Sequence, residues 1–119
     1  MKALVLLVED DGRSAHKLAQ MLREDGYTVE VATDGAAAIG RLSRSPLPNI
    51  LLTDLNLPHA NGAAVARYAR SLRADIPIFV ITGYPELATQ LEGLAPEPVV
   101  FTKPLEYEQL TAALKALQG

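Results

Sequence analysis

Residues Asn49 to Gly62 read NILLTDLNLPHANG, an almost wholly apolar run that ends in a carboxylate. Ile50 to Thr53 has the length and composition of a strand buried on both faces, as parallel strands between helices are. Asp54 stands where that strand emerges. Pro58 cannot extend an inner strand, and Asn61-Gly62 is a turn signal leading into a helical pattern from Ala63 to Arg73. The carboxylate is therefore placed at a strand's C-terminal end, the edge where open α/β sheets bind ligands.

The rest of the chain repeats this arrangement. Short apolar runs predict strands at Ala3 to Val8, Tyr27 to Ala32, Asn49 to Thr53, Ile76 to Ile81 and Val99 to Thr102, with amphipathic runs between and after them. Ala15, Leu18, Ala19 and Leu22 share one face of the first helix, and Gly26 supplies its left-handed stop. Asp34 is placed to cap the second helix, which fails before Pro46. Leu110, Ala113, Leu114 and Leu117 form the expected buried stripe of the last. Alternating strands and helices predict an α/β fold, a doubly wound five-stranded parallel sheet with right-handed crossovers and five helices on two faces.

Composition narrows the function. The 119 residues are 49% hydrophobic, enough for one core, and the expectation is a single domain over 1–119 with no output domain after it. Without cysteine there is no disulfide framework, thiolate zinc site or cysteine nucleophile. The apolar run Ala3 to Val8 is too short to span a bilayer and has no cleavage signature, so membrane insertion is not expected and a cytoplasmic location is. A net charge of −3 with scattered cations argues against a nucleic-acid surface.

Polar residues gather where the strands end: Glu9-Asp10-Asp11 after the first, Asp54 after the third, Thr82-Gly83 after the fourth, and Lys103-Pro104 after the fifth. Crowded carboxylates raise one another's pKa unless a cation joins them. Oxygen ligands of this kind suit Mg²⁺, which takes one or two carboxylates, keeps waters and bridges to phosphate. With Mg²⁺ and Lys103 neutralising charge and the Thr82 hydroxyl donating a hydrogen bond, Asp54 can serve as nucleophile toward a phosphoryl donor. Asp11 is read as the cap of the first helix, and His16 and His59 as surface residues.

The motifs VLLVEDD (5–11), DLNLPHANG (54–62), VITG (80–83) and FTKP (101–104), in this order and at these intervals, resemble the CheY-like receiver domains of two-component response regulators. The resemblance covers the whole chain. It implies a flavodoxin-like strand order 2-1-3-4-5, which periodicity alone does not give. It further implies Mg²⁺-dependent acceptance of a phosphoryl group at Asp54 from a histidine kinase or histidine phosphotransfer protein, switching contacts with a downstream protein. By the same implication Thr82 and Lys103 contact the phosphoryl oxygens, Asp10 is a direct metal ligand, Glu9 an outer-sphere one, and Asn56 a ligand through its carbonyl. Such a protein catalyses its own phosphorylation and dephosphorylation without turning over an external substrate, as a monomer or weak dimer. Its context is a stand-alone single-domain regulator, a phosphotransfer shuttle or a receiver from a hybrid kinase.

Rival readings fare worse. A haloacid-dehalogenase-type phosphatase needs a second Asp two positions after the nucleophile, where this chain has Asn56. A flavin carrier needs a phosphate-cradling loop after the first strand, where Glu9-Asp10-Asp11 would repel phosphate. The remaining alternative is a receiver-like interaction module that is never phosphorylated, whose mark is loss of a site residue; none is lost. Two features depart from the family pattern. Val100 occupies the position three before the lysine where an aromatic is common, with Phe101 directed to the opposite face. The interval from Thr82 to Lys103 is tight and carries Pro85, Pro96 and Pro98, which predicts a short or irregular fourth helix.

Overall fold

The computed structural model describes residues 3–117. Strand β1 (Leu4–Val8) leads to helix α1 (Gly12–Glu24), β2 (Thr28–Ala32) to α2 (Gly35–Leu42), and β3 (Ile50–Thr53) to α3 (Gly62–Leu72). Next, β4 (Ile78–Thr82) is followed by a 3₁₀ helix (Pro85–Leu91), and β5 (Val99–Thr102) by α4 (Tyr107–Ala116). All strand pairs are parallel and the order is β2-β1-β3-β4-β5. The expected sheet is present, and the short interval before β5 holds a 3₁₀ turn in place of a regular fourth α-helix.

Strand alternation divides the core in two. Leu6, Val8, Leu51 and Val80 face α2, α3 and the 3₁₀ helix, whose Ala38, Leu42, Val65, Ala66, Ala69 and Leu91 are buried against them. Leu7, Leu52, Phe79 and Ile81 face α1 and α4, packing with Ala19, Leu22, Leu110 and Leu114. Inner strands β3 and β4 are buried along their whole length, whereas edge strands β2 and β5 are not. Fully burying Leu110 and Leu114 contributes about 1.5–3 kcal/mol each, an upper bound, toward holding α4 on the sheet.

Three helices start at the same edge with a side-chain cap. Asp11 accepts from the Arg13 amide and the Ser14 hydroxyl, Asp34 from the Ala37 amide at 2.7 Å, and Asn61 from the Ala64 amide at 2.8 Å. Asn61 is thus a helix cap and not merely part of a turn. Gly26, at φ +97°, ends α1 as expected.

Two expectations need correction. Leu117 is 47% exposed, because α4 ends at Ala116 and the buried stripe stops with Leu114; Ala113 is half-buried. Strand β4 begins at Ile78, since Pro77 has no amide to donate to the ladder; Ile76 is buried without being in the strand.

Candidate functional site

Glu9, Asp54 and Lys103 are each the first residue after a strand: β1, β3 and β5. Strands β1 and β3 are neighbours, so their carboxylates emerge side by side. Lys103 comes from the far side of β4. Neighbouring strands lie roughly 4.8 Å apart, so the span from β5 to β3 is roughly 10 Å, and only a long side chain covers it. Lys103 does so: its Nζ donates to Asp54 Oδ2 at 2.7 Å and to Glu9 Oε1 at 2.9 Å.

The two carboxylates are buried, each residue 7% exposed. Burial raises the Glu9 pKa, the hydrogen bond from Lys103 opposing it only in part. Burial also works against the Lys103 ammonium, but its hydrogen bonds to Asp54 and Glu9 outweigh that and raise its pKa. The ion pair therefore keeps the lysine charged while desolvation still disfavours the glutamate anion. Backbone amides complete the cradle: Asn56 N–H donates to Asp54 Oδ1 and Asp11 N–H to Glu9 Oε2, both at 3.2 Å.

Asp10 is exposed beside them, and carboxylate oxygens of Glu9, Asp10 and Asp54 lie within 4.8 Å of one another. On the α1 and α4 side the site opens into a groove of about 370 Å³ lined in part by Leu18, Met21, Leu105 and Tyr107. Helix α3 starts directly against the acidic residue: a Cβ at Gly62 would collide with the Asp54 carbonyl, so only glycine lets the helix approach this closely. A buried acceptor, a cation held on it and a neighbouring acidic cluster suit the transfer of an anionic group to a carboxylate.

A family model described as response regulator receiver domain matches residues 5–115. The chain belongs to the response-regulator receiver family. Response regulator MprA of Mycobacterium ulcerans is 35% identical over 118 residues, 98% of this chain and 50% of that protein; the chain spans about half the length of such relatives. Among solved structures, response regulator protein TrrA of Thermotoga maritima, in complex with Mg²⁺ and BeF, has a TM-score of 0.86 at 26% identity, covering 98% of this chain and 99% of that one. A CheY-like receiver domain protein of Methanospirillum hungatei has a TM-score of 0.87 at 25% identity, covering 98% and 93%. No helix among the described residues of this receiver is long and apolar enough to cross a membrane.

The receiver fold brings Glu9, Asp10, Asp54 and Lys103 together, as their strand-end positions predict. Thr82, the fully buried last residue of β4, sits differently. Its hydroxyl oxygen accepts the Tyr84 N–H at 3.0 Å, and its carbonyl accepts the Lys103 N–H at 2.8 Å. Among the described residues it makes no hydrogen bond to Asp54 or to the Lys103 side chain. Asn56 meets Asp54 through its amide, with its side chain exposed. Asp11 caps α1 while its amide serves Glu9, and His16 and His59 are exposed. The amide contacts of Asn56 and Tyr84 carry no signal in residue type, because any non-proline backbone offers the same donor.

Proposed function

We propose that Asp54 accepts a phosphoryl group from the phosphohistidine of a histidine kinase or histidine phosphotransfer protein, and that the acyl phosphate switches contacts with a downstream protein. The observation that carries this reading is the Lys103 ammonium bonded to both Asp54 and Glu9, with Asp10 close by. An Asp54 oxygen attacks phosphorus as the P–N bond breaks. The bonding pair goes to the donor ring nitrogen, and the ring leaves neutral because its other nitrogen already carries a proton. Lys103 then donates to the transferred phosphoryl oxygens. The Thr82 hydroxyl uses only its oxygen to accept from Tyr84, so its own hydrogen is free to donate to the same group. Hydrolysis of the acyl phosphate by water resets Asp54.

The acidic cluster fits Mg²⁺. Three carboxylates face one ammonium, leaving excess negative charge where two of the three are buried, and all the donors are hard oxygens. Asp10 and Asp54 would hold the ion directly, Glu9 through water, and Asn56 through its carbonyl. When bound, Mg²⁺ would neutralise charge on the carboxylates and on the transferring phosphoryl group.

The receiver is taken to span 1–119, to work in the cytoplasm without nucleic-acid contact or membrane insertion, and to act as a monomer or weak dimer. Scattered cations and a net charge of −3 support the protein-partner reading. Acetyl phosphate with Mg²⁺ should add one acid-labile phosphoryl group, read by mass spectrometry, and Asp54→Asn should remove it. Equal modification of the variant would refute the assignment.

A further inference from the structure

We propose that Arg67 is a latch on the segment joining β4 to β5, setting how readily that segment yields when the site fills; the proposal rests on the reading of Asp54 as phosphoryl acceptor. Arg67 is an exposed residue of α3, yet its Nη2 donates to the carbonyls of Gln90 at 2.7 Å and Glu92 at 2.8 Å. Those carbonyls lie at the end of the 3₁₀ helix, which stops at Leu91 with Glu92 as its cap. Terminal carbonyls of a helix lack partners within it, and a cation there satisfies them and complements the dipole.

Among the described residues, these are the only side-chain hydrogen bonds that join the rest of the protein to residues 85–98. The other attachments near the segment are apolar or lie at its ends. Leu91 is buried, with Leu87, Ala88 and Leu94 packed around it. At the start of the segment the Tyr84 amide is held by the Thr82 hydroxyl oxygen. Two polar anchors thus bracket the 3₁₀ helix, one on a site residue and one on Arg67. Helix α3 begins against the Asp54 backbone and carries Arg67 along its length, so the Arg67 anchor and the acceptor Asp54 are joined by one rigid element.

The Arg67 bonds are made in the arrangement where Thr82 serves Tyr84. To bring its free hydrogen to the phosphoryl oxygens the Thr82 hydroxyl must move toward Asp54, so the Tyr84 amide held on its oxygen must follow or let go and the segment must adjust. The Arg67 bonds resist that adjustment. A contact present in one state and weakened in the other sets part of the equilibrium between them, so removing it favours the filled site. Both bonds leave the one Nη2 nitrogen, so lysine at this position would keep the charge and enough donors but lose the planar guanidinium that holds them in a fixed direction.

The probe is beryllofluoride with Mg²⁺, titrated calorimetrically into the full chain. Arg67→Ala should bind it about three- to tenfold more tightly than the wild type, with Arg67→Lys between them, the range two charge-assisted bonds at an exposed site would give. In the absence of ligand, amide hydrogen exchange in residues 85–98 should speed up in Arg67→Ala while β1 and β3 keep their protection. Equal or weaker beryllofluoride binding by both variants, or unchanged exchange in the segment, would overturn the latch. Loss of fold in Arg67→Ala leaves Arg67→Lys to decide on the same readouts. Failure of the wild type to bind beryllofluoride would instead overturn the Asp54 reading, and the latch with it.

Discussion

Lys103 satisfies two carboxylates at once, which accounts for a lysine at this position. Its stem crosses β4 and its three donors can serve Asp54 and Glu9 together. That still leaves the cluster with a deficit of positive charge, so Mg²⁺ should stabilise the protein by mass action. At a concentration a hundredfold above its Kd the gain is about 2.7 kcal/mol, which raises Tm by several degrees. Asp10→Ala should abolish that rise in a thermal melt; an undiminished response would move the ion elsewhere. Glu9, Asp10, Asp54 and Lys103 were legible in the sequence because each stands where an apolar run stops. The hold of the Thr82 hydroxyl on Tyr84 was not, because that partner is a backbone amide set by the path of the next two residues.

Elements were legible to within a residue or two where apolar patterning ran against a clear stop, as at Asp34, Gly26 and Asp54. They were misjudged where a local backbone feature decided the boundary, as Pro77 does for β4. Arg41 carried no such signal. Its side chain is almost wholly buried at the edge of the sheet, donating to Glu30 Oε1 at 2.6 Å and to the carbonyls of Arg44 and Pro46. This ties α2 and the chain beyond it to β2. The hydrogen bond from Arg41 holds the Glu30 carboxyl below its ordinary pKa. A folded-state pKa below the unfolded one adds stability that is present above the unfolded value and lost as pH falls through the folded value. Glu30 is 46% exposed, so solvent screening limits the contribution to less than about 1 kcal/mol. Glu30→Gln should therefore have a lower urea midpoint than the wild type near pH 7 and approach it near pH 3, through the usual carboxylate range. A gap of constant size would show that Glu30 ionisation contributes nothing.

At the scale of the whole receiver, strand alternation separates Val100 from Phe101. Phe101 stacks on Phe79 on the α1 and α4 side, ring centroids 6.3 Å apart. Val100 is 38% exposed and lines a groove with Leu91, Leu94 and Pro98 on the other side. Valine is stiff at χ1 and too short to swing between buried and exposed positions. A phosphoryl mimic should therefore reorder the backbone from Gly83 to Pro98 while Val100 keeps its rotamer. Methyl and amide NMR with and without beryllofluoride would check this, and a large Val100 rotamer shift beside an unmoved backbone would refute it. Sheet order was not legible from periodicity, which gives strands but not their neighbours; it followed from the family motifs. That order also separates the site's parts along the chain. The lysine bonds to Glu9 and Asp54 close intervals of 94 and 49 residues. During synthesis both carboxylates leave the ribosome well before β5 exists, and until it docks beside β4 they have no ammonium between them. A chain that has not yet formed β5 therefore lacks the assembled Glu9, Asp54 and Lys103 site.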